Sequence, residues 1–477
     1  MKHIYLILSL CLLAGTLAHA QKTKQDIMKS IDARADQYAS TAQKIWEFAE
    51  IGFQEKQSSA LLQQMLKEAG FTIQDNVAGM PTAFTATYGS GKPVIGILGE
   101  FDALPGVAQQ AVPELKPIPG QIAGHACGHH LFGVASAAAS IATKDWMIAN
   151  KKSGTIRFYG TPAEEGGSGK VYMVRDGLFK DVDVVINWHP GSSNNAGASS
   201  TLANKSGKFR YYGIASHAAG SPERGRSALD GVEAMNDMVN MMREHVPSDT
   251  RIHYVITRGG EAPNVVPAFA EVYYYVRNPK AEEVKSIWNR VVRAAEGAAM
   301  GTDTKVELEV TGGTYNLVPN PPLAKVMDTN LRLVGGYVYT EQEKAFATKI
   351  QQSFTGKSPA LESTNEISPF VVTETAHSAS TDVGDVSWVV PTVGLSAATW
   401  VPGTAAHSWQ AVAAGGTTIG RKGMLVAAKT MALTATDLFD NAALVAESWK
   451  ELRKRQGENF VYESLVGDRK PALDYRK

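Results

Sequence analysis

Cysteine is almost missing from this chain: its 477 residues include two, Cys11 and Cys127. An excess of either charge is missing too, since 47 Lys and Arg balance 47 Asp and Glu to a formal net charge of +0, and no basic block breaks the balance. Neither nucleic acid nor an anionic membrane surface is therefore an implied partner. Beyond the first twenty residues no stretch comes near the roughly 18 apolar residues of a spanning helix, so no membrane is expected for the mature form. No repeat period or low-complexity segment is evident.

The first twenty residues differ from the rest. Lys2 and His3 precede an apolar run from Ile4 to Leu17, and Ala18-His19-Ala20 has the small-x-small pattern of a cleavage site. This predicts a signal peptide at 1–20, removed near Ala20, and a periplasmic or secreted protein. Leu10 before Cys11 is too bulky for a lipoprotein signal. Cleavage leaves Cys127 as a lone thiol, unable to form an internal disulfide. It is either a buried, inert side chain or a thiolate held by metal.

The length exceeds what one hydrophobic core usually fills, which favours two domains. Helical spacing runs from Asp26 to Ala69 with a break at Gly52, and recurs over Leu131 to Ile148 and Lys170 to Phe179. Between these lie apolar runs read as buried strands: Val94 to Leu98, Thr155 to Tyr159 and Val182 to Trp188. Alternation of this kind predicts an α/β layer with a largely parallel sheet flanked by helices. From about Ser200 the order changes. Strands at Leu202 to Ile214, Ile252 to Ile256, Phe269 to Val276 and Lys305 to Val310, with helices at Ser227 to His245 and Lys280 to Ala299, make βαββαβ. That is the order of a small ferredoxin-like domain. After Pro319-Asn320-Pro321-Pro322 the α/β character returns, through Ser387 to Leu395 and a helix at Arg421 to Phe439. The expected organisation is a catalytic domain in two segments, 21–200 and 319–477, around an inserted domain at 201–318.

Chemistry-bearing residues cluster in a few places. Gly124-His125-Ala126-Cys127-Gly128-His129-His130 opens a helical stretch. Thiolate and imidazole two positions apart can converge on a zinc-like ion, whereas three rings so close in a core would each need a buried partner. Thr161-Pro162-Ala163-Glu164-Glu165-Gly166-Gly167 follows a strand, where open α/β folds place their sites. One of its carboxylates can hold metal while the other acts as general base; alone, such a pair is more often a solvated surface feature, and the nearby cysteine-histidine cluster reverses that. His189 ends the run Val182 to Trp188, and His407 sits in the small-residue loop Gly403-Thr404-Ala405-Ala406-His407-Ser408. With Cys127, His129 and Glu165 they make a donor set sufficient for two ions.

These stretches, together with Gly99-Glu100-Phe101-Asp102-Ala103-Leu104-Pro105-Gly106, Trp188-His189-Pro190 and Ser380-Thr381-Asp382-Val383-Gly384-Asp385-Val386-Ser387-Trp388, resemble the M20 metallopeptidase and amidohydrolase family over nearly the whole mature chain. The likeness is to its aminobenzoyl-glutamate branch, near the indole-acetyl-amino-acid hydrolases. It implies two divalent ions, zinc or manganese, on Cys127, His129, Glu165, His189 and His407, with Glu164 as base and Asp102 in support. It implies an inserted domain that mediates dimerisation and closes over the site. His217 resembles the histidine that reaches a neighbouring active site to stabilise an oxyanion, and Asn264 and Arg277 a substrate-carboxylate pair. The activity implied is hydrolysis of an N-acyl amino acid such as p-aminobenzoyl-glutamate. Other N-acyl or indole-acetyl amino acids and dipeptides are alternatives, as is a subunit active only with a homologous partner. The chain departs from the pattern at His130, where the family has Asp and this branch Asn, so His130 is itself a possible competing ligand. The signal peptide is a second departure, since the best-known branch members are cytoplasmic.

Overall fold

Strand Val94–Glu100 is buried along its whole length and lies inside a six-stranded sheet. Its alternate side chains serve two cores: Ile95 and Ile97 join one, Val94 and Leu98 the other. A strand covered on both faces needs apolar residues at consecutive positions, which is why its sequence reads as an unbroken run. The computed structural model describes residues 22–375 and 379–476; the signal peptide read at 1–20 lies outside them.

The sheet order is Thr72–Asp75, Phe84–Ser90, Gly154–Thr161, Val94–Glu100, Val184–Gly191, Thr392–Ala398. The last four are mutually parallel, and the first two add antiparallel at one edge. Sequence reasoning assigns no strand to these two. Phe84-Thr-Ala-Thr-Tyr-Gly-Ser lacks an apolar run, and its pairing with Gly154–Thr161 comes from tertiary contact. Helix His129–Ala149 is buried nearly all round, packed beneath the sheet and against helix Thr418–Asp440. On the other face lie the short helices Gly169–Arg175 and Val383–Ser387.

Some expected boundaries move. The helix read at Lys170 to Phe179 ends at Arg175, before a turn in which Gly177 takes φ +81°. Within Ser387 to Leu395, a helix ends at Ser387 and the strand starts at Thr392, after Pro391. Helices Pro321–Val334, Glu341–Gln352 and Ala442–Gln456 have no counterpart in the sequence reading. All three carry start signals: Asn320 caps before Pro321, Thr340 with Glu343 forms a capping box, and Asn441 accepts the Ala443 amide. Among the described residues no helix is long and apolar enough to cross a membrane.

The second sheet has four antiparallel strands in the order Arg251–Arg258, Phe269–Asn278, Ala203–Tyr212, Lys305–Thr314. Helices Ala228–Met242 and Ala281–Gly301 cover one face around Phe209, Val272, Tyr274, Val232 and Trp288. Strand Lys305–Thr314 outruns the expected end at Val310 because a register shift between Val310 and Gly312 lets pairing continue to Asn204.

Candidate metal and catalytic site

Parallel strands bring their carboxyl ends to one edge of a sheet, and here that edge gathers the chemistry. Strand Val94–Glu100 delivers Glu100 and, just beyond it, Asp102. Strand Gly154–Thr161 leads into Glu164 and Glu165, and strand Val184–Gly191 carries His189. Cys127 and His129 flank the start of helix His129–Ala149, where Gly128 takes φ +75°. A Cβ at Gly128 would lie 2.7 Å from the Pro190 side chain, so glycine lets the Cys127 turn close onto the His189 strand. His407 comes from a distant loop, held by its amide donating to the Ala126 carbonyl at 3.0 Å, with φ +61°.

The five donors named from the sequence meet. Ligating atoms of Cys127, His129 and His189 lie within 4.8 Å of one another, as do those of Cys127, Glu165 and His407. Cys127 Sγ is 3.4 Å from His189 Nε2, and His407 Nε2 is 3.2 Å from Glu165 Oε1. His130 does not join them. Its Nε2 donates to the Gly415 carbonyl at 3.1 Å, and burial holds its pKa well below the usual value, so it is a neutral interior side chain. Neighbouring His125 is likewise depressed to about 3 by burial and by the charge of His129.

The surroundings are rich in acid. Asp102 Oδ1 accepts from His129 Nδ1 at 2.9 Å, and its other oxygen accepts the Glu165 amide at 2.9 Å. Glu100 Oε2 approaches His129 Nε2 at 3.0 Å without hydrogen-bond geometry. Lys170, fully buried, lies 2.7 Å from both Glu100 and Asp382. Burial, then the charges of Glu100, Glu165 and Asp382, raise the Glu164 pKa well above the ordinary carboxylate value. Burial opposes ionisation of Glu165 as well, but His407 and the charge of His129 outweigh it and lower its pKa. His129 is raised, because Glu100 and Asp102 overcome its burial. Burial pushes the Cys127 thiol up.

This arrangement fits divalent cations. Buried Glu165 Oε1 and His129 Nε2 have no hydrogen-bond partner, and the donors combine sulfur, imidazole and carboxylate. A third cluster, Glu100, His129 and Glu164, is also compact. Lys170 already supplies Glu100 with a cation, which makes that cluster an acid network rather than a ligand set.

The Glu164–Glu165 loop is backbone-strained. Ala163 and Ser168 are left-handed at φ +56° and +58°, a conformation costing roughly 1–2 kcal/mol for a residue with a side chain. Contacts from distant segments hold it. Buried Glu55 accepts the Ala163 amide at 2.9 Å, and Asp382 accepts the Lys170 amide at 2.8 Å. Tyr475 Oη and Arg476 Nη2 donate to the Glu165 carbonyl. Sequence reasoning gives no role to Glu55, Glu100, Lys170, Asp382, Tyr475 or Arg476. Glu100 and Asp382 lie inside motifs it quotes and Lys170 opens a helical stretch it reads, but nothing local marks the others.

His217, Asn264 and Arg277 lie on the inserted unit, and among the described residues none belongs to the groups of close-lying metal donors. His217 is exposed, its Nδ1 accepting the Gly220 amide at 2.9 Å, and the Asn264 carbonyl accepts the Ala218 amide at 3.0 Å. Arg277 is half-buried on the sheet face away from the helices. It lies 5.4 Å from the Tyr275 ring centroid, with a buried Nε that has no hydrogen-bond partner.

Known proteins share both the sequence and the fold. Residues 202–302 match the Peptidase dimerisation domain family. The chain is 42% identical over 457 residues to one subunit of the p-aminobenzoyl-glutamate hydrolase of Escherichia coli, covering 90% of this chain and 95% of the relative. It is 29% identical over 464 residues to the Xaa-Arg dipeptidase of Mus musculus, covering 94% and 96%. Among solved structures, a dinuclear metal-binding peptidase of Bacillus subtilis superposes with a TM-score of 0.57 at 16% identity, covering 86% of this chain and 99% of that one.

Proposed function

Because the chain belongs to the M20 family of metallopeptidases and amidohydrolases, we propose that it hydrolyses the amide bond of an N-acyl amino acid, with p-aminobenzoyl-glutamate or a similar acyl-glutamate as substrate. The enzyme class is that of a metal-dependent amidohydrolase. The observation that carries the reading is the meeting of Cys127, His129, Glu165, His189 and His407 beside a further carboxylate, Glu164. The substrate rests on the 42% identity to the bacterial relative, which spans 90% of this chain and 95% of that one.

Two divalent ions, zinc or manganese, bound by these five residues would supply a polarised carbonyl and a water acidified toward neutrality. Glu164 takes a proton from the attacking water and returns it to the amine nitrogen as the C–N bond breaks. Asp102 accepts from His129 Nδ1 and so keeps Nε2 free as a donor atom. His217, exposed on the inserted unit, donates to the oxygen that gains charge, reaching it from a second copy or a homologous partner subunit. The match to a dimerisation domain, and the naming of the bacterial relative as one subunit of its hydrolase, support such an assembly. Asn264 and Arg277 hold the free carboxylate of the substrate, the guanidinium through two parallel N–H donors. The apolar run Ile4 to Leu17 followed by Ala18-His19-Ala20 supports a cleaved leader and export to the periplasm or medium.

The test is a hydrolysis panel on the purified chain supplied with zinc or manganese. Cleavage of p-aminobenzoyl-glutamate ahead of acyl-apolar amino acids and Xaa-Arg dipeptides is expected. Faster cleavage of the dipeptides would replace the substrate. Activity that emerges only with an added homologous subunit would make the chain one half of the enzyme.

A further inference from the structure

The segment after helix Ala442–Gln456 runs back across the molecule and ends its described course on the loop carrying Glu164 and Glu165. Its path is fastened along its length. The Tyr315 hydroxyl donates to the Glu463 carbonyl at 2.9 Å, and Arg469 donates to the Thr311 carbonyl on the last strand of the inserted unit. Arg175 donates to the carbonyls of Gly467 and Arg469 at 3.1 and 2.6 Å, and Gln54 to that of Leu473 at 2.8 Å. The Tyr475 ring then stands edge-on to Phe53 at 5.6 Å.

At the end of this path two donors converge on one acceptor. Tyr475 Oη is 3.0 Å and Arg476 Nη2 2.5 Å from the carbonyl oxygen of Glu165. That carbonyl belongs to the peptide between Glu165 (φ −72°, ψ +66°) and Gly166 (φ +92°, ψ −6°), where the short helix is broken. The amide on the other side of Glu165 is held by Asp102 at 2.9 Å. Both peptide groups flanking Glu165 are thus fixed from outside the loop, and with them the direction of its side chain toward Cys127 and His407.

We propose that Tyr475 and Arg476 are positioning residues for the Glu164–Glu165 pair, acting through the Glu165 carbonyl. The proposal deepens the functional reading above and rests on it for the meaning of the loop. Neither side chain touches substrate in this scheme. Their role is to hold the peptide plane from which one carboxylate faces the donor cluster while its neighbour is set as base. Arg469 on Thr311 fastens the same strap of chain at a point away from the base-bearing loop.

The experiment compares the parent with Tyr475→Phe, Arg476→Ala, Arg476→Lys and the double variant Tyr475→Phe/Arg476→Ala. Zinc affinity is measured by competition with a chromophoric chelator, kcat and KM on the acyl-glutamate, and folding by thermal midpoint. Loss of contacts that orient metal donors commonly lowers affinity or activity by roughly 10–100-fold, and the double variant is expected in that range for zinc affinity and kcat, with KM within about threefold. Arg476→Lys keeps a charged donor and is expected to recover part of the loss. Arg469→Ala loosens the strap away from the loop and serves as the control for a purely structural effect. Zinc affinity and kcat within twofold of the parent in the double variant would overturn the proposal, as would equal losses in Arg469→Ala. Tyr475→Phe removes a single oxygen, so it answers the question even where the double variant unfolds. A parent that binds zinc but cleaves no amide defeats the functional reading, and the zinc measurement then decides this inference by itself.

Discussion

Lys170 and Asp382, 212 positions apart in the chain, meet in a fully buried double contact: the ammonium lies 2.7 Å from one carboxylate oxygen, and the Lys170 amide donates to the other at 2.8 Å. The same ammonium reaches Glu100 at 2.7 Å. One cation thereby joins the end of strand Val94–Glu100, the helix after the Glu164 loop and the segment leading to strand Thr392–Ala398.

Lys170→Met keeps the volume and removes the charge, leaving Glu100 and Asp382 buried without their cation. Removing one partner of a buried pair costs about 3–5 kcal/mol. Urea unfolding should show a loss of that size, and a change under about 1 kcal/mol would mean that water or another group already compensates both acids.

Glu164→Gln preserves shape and removes the base. Turnover is expected to fall by roughly 10²–10⁴-fold while bound metal, read by elemental analysis, stays near the parent value. Parallel loss of metal and activity would instead make Glu164 a ligand.

Glu55 links pH to stability. Burial, with the charge of Asp102 nearby, raises its pKa from 4.5 to about 8 in the folded state. The folded protein therefore binds this proton more tightly than the unfolded chain, and between about pH 4.5 and 8 stability falls as pH rises. Glu55→Gln imitates the protonated acid. In metal-free protein it should flatten this slope, raising the thermal midpoint most near pH 8 and least near pH 5. An identical slope in parent and variant would remove Glu55 as its source.

Arg277→Lys tests the carboxylate clamp. A lysine keeps the charge but not the paired donors, so KM for an acyl-glutamate should rise about tenfold, with a smaller change for a substrate lacking the free carboxylate. An unchanged KM would leave Arg277 as a strand-end cation stacked on Tyr275.

Legibility from sequence followed how local the physical signal was. The buried strands Val94–Glu100, Gly154–Thr161 and Val184–Gly191 were visible because strands covered on both faces must be apolar at consecutive positions. The antiparallel strands Thr72–Asp75 and Phe84–Ser90 were not, since their residues are mixed and their partners are chosen in space. His130 shows the same limit inside a motif. Beside Cys127 and His129 it reads as a third donor, yet the helix start turns it toward Gly415, 285 positions away.

Local residue order determined which side chains could do chemistry here: a thiol and imidazole two positions apart, paired carboxylates after a strand, and histidines on a strand end and a small-residue loop. Only the tertiary structure decided what restrains them. Glu55, Lys170, Asp382, Tyr475 and Arg476 act on the site from segments far apart in the chain. Hydrogen bonds and charge pairs depend on separation in space, and a buried acid or a left-handed turn finds its partner wherever the folded backbone brings one within about 3 Å.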